Sequence, residues 1–156
     1  MAFFFGTSRY IPSAVSKKLV RLIETSAEEM SRSYTREIQA MVEAPSYRTL
    51  DQREVHDRGH RVFSQIGRWI SNEITEKDME NYWTALGKQR RPEGFSMSEI
   101  MIAICMIRRD VWQKIRNEGL LDTAEDLYEA MELYGRIVNF FERAQYFTVR
   151  GYEGKP

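Results

Sequence analysis

The octet Ile100-Met101-Ile102-Ala103-Ile104-Cys105-Met106-Ile107 carries no polar side chain at any position. Ser96 and Glu99 stand just ahead of it at capping-box spacing, where the serine oxygen accepts from the Glu99 amide and the carboxylate accepts from the Ser96 amide. Arg108, Arg109 and Asp110 follow it. A helix that is apolar all round for about two turns has to be covered by neighbours on nearly every side. The spacing therefore predicts a central, enclosed helix over about residues 96–118, after a charged stretch in which Pro92 and Gly94 end the preceding helix.

Elsewhere apolar residues recur at helical spacing. Pro12 and Ser13 introduce Val15, Leu19, Leu22 and Ile23; the pattern thins through Ser26, Ser31 and Ser33 and resumes at Tyr34, Ile38, Met41 and Val42. One bent helix or two short ones fit equally, ending at Ala44-Pro45, because a residue before proline avoids helical dihedrals. Thr49 with Gln52 reads as a second capping box, opening a helix to about Ile74 with Val55, Gly59, Val62, Ile66, Trp69 and Ile70 inward. Thr75, with Glu76 and Asp78 in the first turn, opens the next, which carries Met79, Tyr82, Trp83 and Leu86. Gly119 suits the end of the Ser96 helix. Asp122 and Glu125 open the last, with a stripe of Leu127, Met131, Tyr134, Val138 and Phe141 flanked by Ala130, Ile137 and Ala144.

No stretch alternates with period two, so the expected fold is all-α. It is a single domain of five or six helices over 13–150, globin-like or an orthogonal bundle around the Ser96 helix. Residues 1–12 read as an N-terminal arm whose Phe3–Phe5 segment packs at home or on a partner, and 151–156 as a frayed tail.

Charge and length narrow the function classes. Twenty-three basic residues balance 23 acidic ones, which argues against a nucleic-acid or anionic-membrane partner. The longest apolar run falls well short of the roughly 20 residues that span a bilayer. Ala2-Phe3-Phe4-Phe5 is too short for a signal-peptide core. The single cysteine, Cys105, cannot close an intramolecular disulfide and reads as a buried core thiol, in keeping with a reducing cytoplasm.

Candidate chemistry is sparse. His56 and His60, four apart in His-Asp-Arg-Gly-His, have the spacing by which zinc proteases present two ligands. Asp57 stands where that motif has glutamate, no third ligand is evident, and Arg53, Arg58 and Arg61 disfavour a cation. Metal or haem iron at His56 and His60, including a small metal-dependent hydrolase, is kept as an alternative to a solvated helix flank. Gly59, on the inward stripe despite a cost of about 1 kcal/mol relative to alanine, marks either a close helix approach or a small pocket. With Trp69, Trp83 and Cys105 it forms the candidate ligand pocket. Lys88-Gln89-Arg90-Arg91 is explained by contact with helix-terminal carbonyls, with a phosphate or carboxylate site as the alternative. Phe140-Phe141 and Tyr146-Phe147 are adjacent pairs, so one ring of each is expected to face outward, as an aromatic face for a partner helix or a dimer. No catalytic residue and no cofactor is assigned.

Several segments together carry a family resemblance. They are Pro45-Ser46-Tyr47-Arg48, Gly67-Arg68-Trp69-Ile70, Tyr82-Trp83 leading to Leu86-Gly87, Arg90-Arg91 followed by Gly94-Phe95-Ser96-Met97-Ser98-Glu99, and Phe140-Phe141-Glu142-Arg143-Ala144 up to Gly151-Tyr152. The chain resembles, over roughly Val15 to Tyr152, the amino-terminal domain of RsbRD-type co-antagonists, a helical sensory module that also precedes kinases and transcription regulators. The resemblance implies a bacterial cytoplasmic, stressosome-like signal-input domain related to non-haem globins, often a homodimer, with a protein partner in a signalling pathway. It transfers no catalytic residue. An effector domain would be expected after Tyr152; Met1 and the short polar tail favour a free-standing module over a fragment. The leading reading is non-catalytic sensing or protein interaction, against a metal or haem protein at His56 and His60 and a purely structural dimerisation module.

Overall fold

In a computed structural model describing residues 11–71, 73–118 and 121–155, the Ser96 side chain accepts from the Glu99 amide and Glu99 accepts from the Ser96 amide, opening a helix over Met97–Asn117. Among the described residues there are seven α-helices and no strand. In order they are α1 (Ala14–Thr25), α2 (Ala27–Ala40), α3 (Gln52–Phe63), α4 (Ile66–Ile70), α5 (Glu76–Arg90), α6 (Met97–Asn117) and α7 (Ala124–Glu153), with a 3-10 turn at Pro45–Thr49 before α3. None is long and apolar enough to cross a membrane. The Phe3–Phe5 segment and Gly119 lie outside the described residues.

Seven helices appear where five or six were expected because two apparent helices are each broken. Ser26, with ψ at 4°, separates α1 from α2. Of the serines that thin the pattern, Ser31 is buried, Ser26 half-buried and Ser33 exposed; Ser31 and the buried Thr35 donate their hydroxyls to the carbonyls of Ala27 at 2.6 Å and Ser31 at 2.7 Å. Such back-bonding satisfies a buried hydroxyl within its own helix. The second break follows Phe63, after which Ile66 starts α4 and the Gly67 amide donates to Glu24 Oε1 at 2.9 Å. The stripe Val55, Gly59, Val62, Ile66, Trp69 and Ile70 is buried throughout, as its spacing predicts.

Two caps differ from expectation. Asp51, not Thr49, caps α3, accepting from the Arg53 amide at 2.8 Å. The Thr49 hydroxyl donates to the Ser46 carbonyl inside the 3-10 turn. Thr123, rather than Asp122, caps α7 in a box with Asp126.

The octet on α6 is enclosed on most sides but not all. Ile100, Ala103, Ile104, Met106 and Ile107 are buried, whereas Cys105 is exposed, with Gln145 Nε2 donating to its sulfur at 3.4 Å. Its neighbours on α6 face the core, and α7 covers only one flank, so the expectation of a buried thiol fails. On α7 the buried residues are Ala130, Leu133, Ile137, Phe140, Phe141, Ala144, Phe147, Thr148 and Gly151. Leu127 and Met131, expected inside, are 51% and 64% exposed. The set 127, 131, 134, 138 and 141 repeats every 3.5 residues and drifts by roughly 40° over two heptads of a straight helix, reaching the core only at Phe141. Phe140 and Phe141 are both buried, so that pair offers no outward ring.

The tightest contact joins α5 to α7. A methyl group at Gly87 would lie 2.1 Å from the Thr148 carbonyl oxygen, and one at Gly151 would lie 2.1 Å from the Thr84 carbonyl oxygen. The two backbones touch through glycine from both sides. Gly151 is buried and helical, and α7 ends at Gly154 with φ at 71°. The tail expected from residue 151 therefore begins after Glu153.

Candidate functional site

The 3-10 turn and α6 are locked together at one end of the core. Glu99 is 4% exposed and its carboxylate accepts from the Ser46 amide at 2.6 Å, the Ser46 hydroxyl at 2.9 Å and the Ser96 amide at 2.9 Å. Burial pushes this carboxyl up, but the hydrogen bonds from Ser96 and Ser46 outweigh it and hold the group below its ordinary range. This fixes Tyr47 and Phe95 edge to face, their centroids 4.8 Å apart.

Behind them lies a cavity of about 60 Å³, lined by residues of α2, α3, α5, α6 and α7 together with Tyr47 of the 3-10 turn. At about 10–15 Å³ per water, it has room for about four waters or a small ligand group. Ile100, Ala103, Ile104, Ile107, Phe141 and Leu86 supply apolar wall; Tyr34, Tyr47, Trp83, Arg58, Arg61 and Arg90 supply polar atoms. Burial raises both phenols above their ordinary value, Tyr34 well above it and Tyr47 to about 12. Both stay neutral across the physiological range and can donate or accept.

Arg90 ends α5 yet is only 7% exposed. Its Nη1 donates to both oxygens of Glu93, at 3.0 and 3.2 Å. Burial and the nearby Arg58 cation lower its pKa, partly offset by Glu93. Arg58 Nη2 donates to Glu54 Oε1 and, at 3.3 Å, to Glu93 Oε2, while its guanidinium sits 5.8 Å from the Phe95 centroid. Two guanidiniums thus share Glu93 at the wall of an apolar chamber. Among the described residues, Arg58 Nη1 and Trp83 Nε1 are buried donors with no hydrogen-bond partner. Leaving such a donor unmatched costs about 1–3 kcal/mol.

Of the four expected pocket residues, only Trp83 lines this cavity. Trp69 stands behind it, packed on Trp83, Tyr82 and Phe140 with centroids 5.8, 4.9 and 5.6 Å away. Gly59 supports it from below: a methyl there would lie 2.8 Å from Tyr34 Cδ1, so glycine lets the Tyr34 ring seat against α3. Cys105 points away from it, into solvent. Tyr34, Tyr47, Arg58 and Arg90 also line it, and nothing in their sequence spacing marks them as pocket residues. The one signal in the sequence is the Lys88–Arg91 run, for which an anion site stood as the alternative reading.

His56 and His60 stack with centroids 5.6 Å apart on the outer flank of α3. His56 Nε2 lies 3.1 Å from Glu28 Oε2 and Nδ1 lies 3.1 Å from Asp57 Oδ1, so both ring nitrogens already face carboxylates. Among the described residues no group of three or more His, Cys, Asp and Glu is placed to hold a metal ion.

A family model described as the histidine kinase N terminal matches residues 16–154. No curated protein matches the chain, and no solved structure does.

Proposed function

The chain belongs to the histidine kinase N-terminal family, and from that premise we propose that it is a non-catalytic signal-input domain that reads a small ligand in the cavity between Tyr34, Trp83 and Arg58. One observation carries this reading: two buried donors, Arg58 Nη1 and Trp83 Nε1, belong to the cavity wall and lack acceptors. The ligand that fits has a compact apolar body and an acceptor-rich end, with a carboxylate favoured by the two guanidiniums. Because five helices line the chamber, filling it repacks the contacts among all of them. Such repacking is a route to a partner protein of a signalling pathway. The resemblance to RsbRD-type co-antagonists supports the same kind of regulatory role, with output passing by protein contact.

The test is a thermal-melt survey of small aliphatic carboxylic acids beside their amides and alcohols. A fitting acid at a hundredfold its Kd stabilises the fold by about 2.7 kcal/mol, a rise of roughly 5–10 °C for a chain of this size. Arg58→Lys keeps a cation for Glu54 and Glu93 but removes the planar fork, and should abolish the rise while leaving the unliganded melt nearly in place. An equal response in Arg58→Lys, or none to any compound in the survey, contradicts the proposal.

A further inference from the structure

The outer face of α3 carries more arginine than its own acids account for. Two basins open side by side on it, one toward α2 and one toward α5, and they share Asp51 and Arg53. Arginines line the continuous groove from three helices: Arg32 and Arg36 from α2, Arg53, Arg58 and Arg61 from α3, and Arg90 from α5. The acidic side chains lining it are Asp51, Glu54 and Asp57. The whole chain, by contrast, has zero formal net charge.

An exposed arginine without a partner is ordinary and carries no argument by itself. Here, however, the carboxylates of the groove are all engaged. Asp51 accepts from the Arg53 amide at 2.8 Å, Glu54 accepts from Arg58 Nη2, and Asp57 Oδ1 lies 3.1 Å from His56 Nδ1. Arg32 pairs with Glu28 at 3.0 Å, and Arg58 and Arg90 share Glu93. Among the described residues, Arg36, Arg53 and Arg61 make no ion pair and no side-chain hydrogen bond. Three guanidiniums from two helices thus face one groove whose own acids are taken. Each is a planar fork that bonds a carboxylate through two donors at once.

The spacing indicates the kind of anion. Arg53 and Arg61 line the same basin and stand eight residues apart on α3, a rise of about 12 Å. Arg36 faces Arg53 from α2 in the neighbouring basin. One small anion cannot bridge such a row. Residues four apart in an extended chain are separated by roughly 13 Å, so acidic side chains at that separation reach both ends of the α3 row. Complementary charge of this kind fixes register and speeds encounter between two proteins.

We infer that the groove along α3 docks an acidic segment of a partner protein, its carboxylates seated on Arg36, Arg53 and Arg61. The inference stands whether or not the cavity takes a ligand. Fluorescence anisotropy of the full chain at low salt tests it, with a labelled peptide of alternating glutamate and serine. The wild type should bind this peptide and not its lysine–serine counterpart. Arg36→Glu with Arg53→Glu, both at exposed positions, should weaken binding about tenfold or more with unchanged helical circular dichroism. Lys17→Glu with Lys18→Glu makes the same change in net charge at exposed positions of α1 that line neither basin, and should leave binding within about twofold. A wild type that does not bind the acidic peptide, a double reversal on α2 and α3 without effect, or an α1 variant that loses as much overturns the inference. So does tighter binding of a single-stranded oligonucleotide of equal charge, which would assign the groove to nucleic acid.

Discussion

Replacing Gly151 by alanine tests the helix contact on which the core is built. The new methyl would lie 2.1 Å from the Thr84 carbonyl oxygen and 2.9 Å from the Thr84 Cα. Ordinary contact is about 3.4 Å or more, so α5 and α7 must part by about 1 Å at their closest point. The obstacle is backbone on both sides, so no rotamer change relieves it. Overpacking costs about 1–3 kcal/mol, and this site belongs at the upper end. Alanine returns about 1 kcal/mol in helix propensity. The net loss is about 2 kcal/mol, or roughly 4–8 °C in Tm. Guanidinium unfolding followed by circular dichroism reads it as a lower midpoint at an unchanged slope. Gly135→Ala, whose methyl would meet nothing within 4 Å among the described residues, is the control and should shift the other way. A Gly151→Ala variant as stable as the wild type, or more so, would refute the backbone-to-backbone crossing.

Three further outcomes follow from the geometry. Glu99 has a depressed pKa in the folded chain, so the stability it contributes is present above its unfolded value of about 4.5 and is lost as pH falls through the folded value. Glu99→Gln should therefore flatten the acid limb of the stability–pH curve, and an unchanged limb would show that the Ser46–Ser96 clasp is not what titrates. At neutral pH the same variant should lose about 2 kcal/mol in chemical denaturation, since it weakens a helix cap and leaves Ser46 poorly matched. Gly59→Ala, with its methyl 2.8 Å from Tyr34 Cδ1, should cost about 1–2 kcal/mol and alter the near-ultraviolet circular dichroism from Tyr34; a stabilised variant would mean that the ring is not seated there.

Local rules made much of the fold legible. The Ser96–Glu99 and Thr75 caps depend only on residues three apart, and the stripe from Val55 to Ile70 on helical period, so both could be read directly. What escaped depended on long-range contacts. Ser31 and Thr35 look like surface residues until their hydroxyls are turned onto their own helix. Gly151 reads as a breaker because the Thr84 carbonyl that requires it lies 67 positions earlier in the chain. The cavity was the least legible part. Arg90 sits in a basic run that resembles a solvated helix end, and only packing shows it buried beside Arg58 and tied to Glu93. Apolar residues at heptad spacing read as core, yet on α7 Leu127 and Met131, the outward half of that stripe, are exposed.

Native mass spectrometry of the freshly purified chain tests whether the chamber beside Trp83 and Arg58 holds a ligand. The expected result is a species heavier than the polypeptide by the mass of one small acid, released on mild acidification and missing from Arg58→Lys. A bare polypeptide mass for the wild type, unchanged after incubation with every acid of the survey, would contradict it.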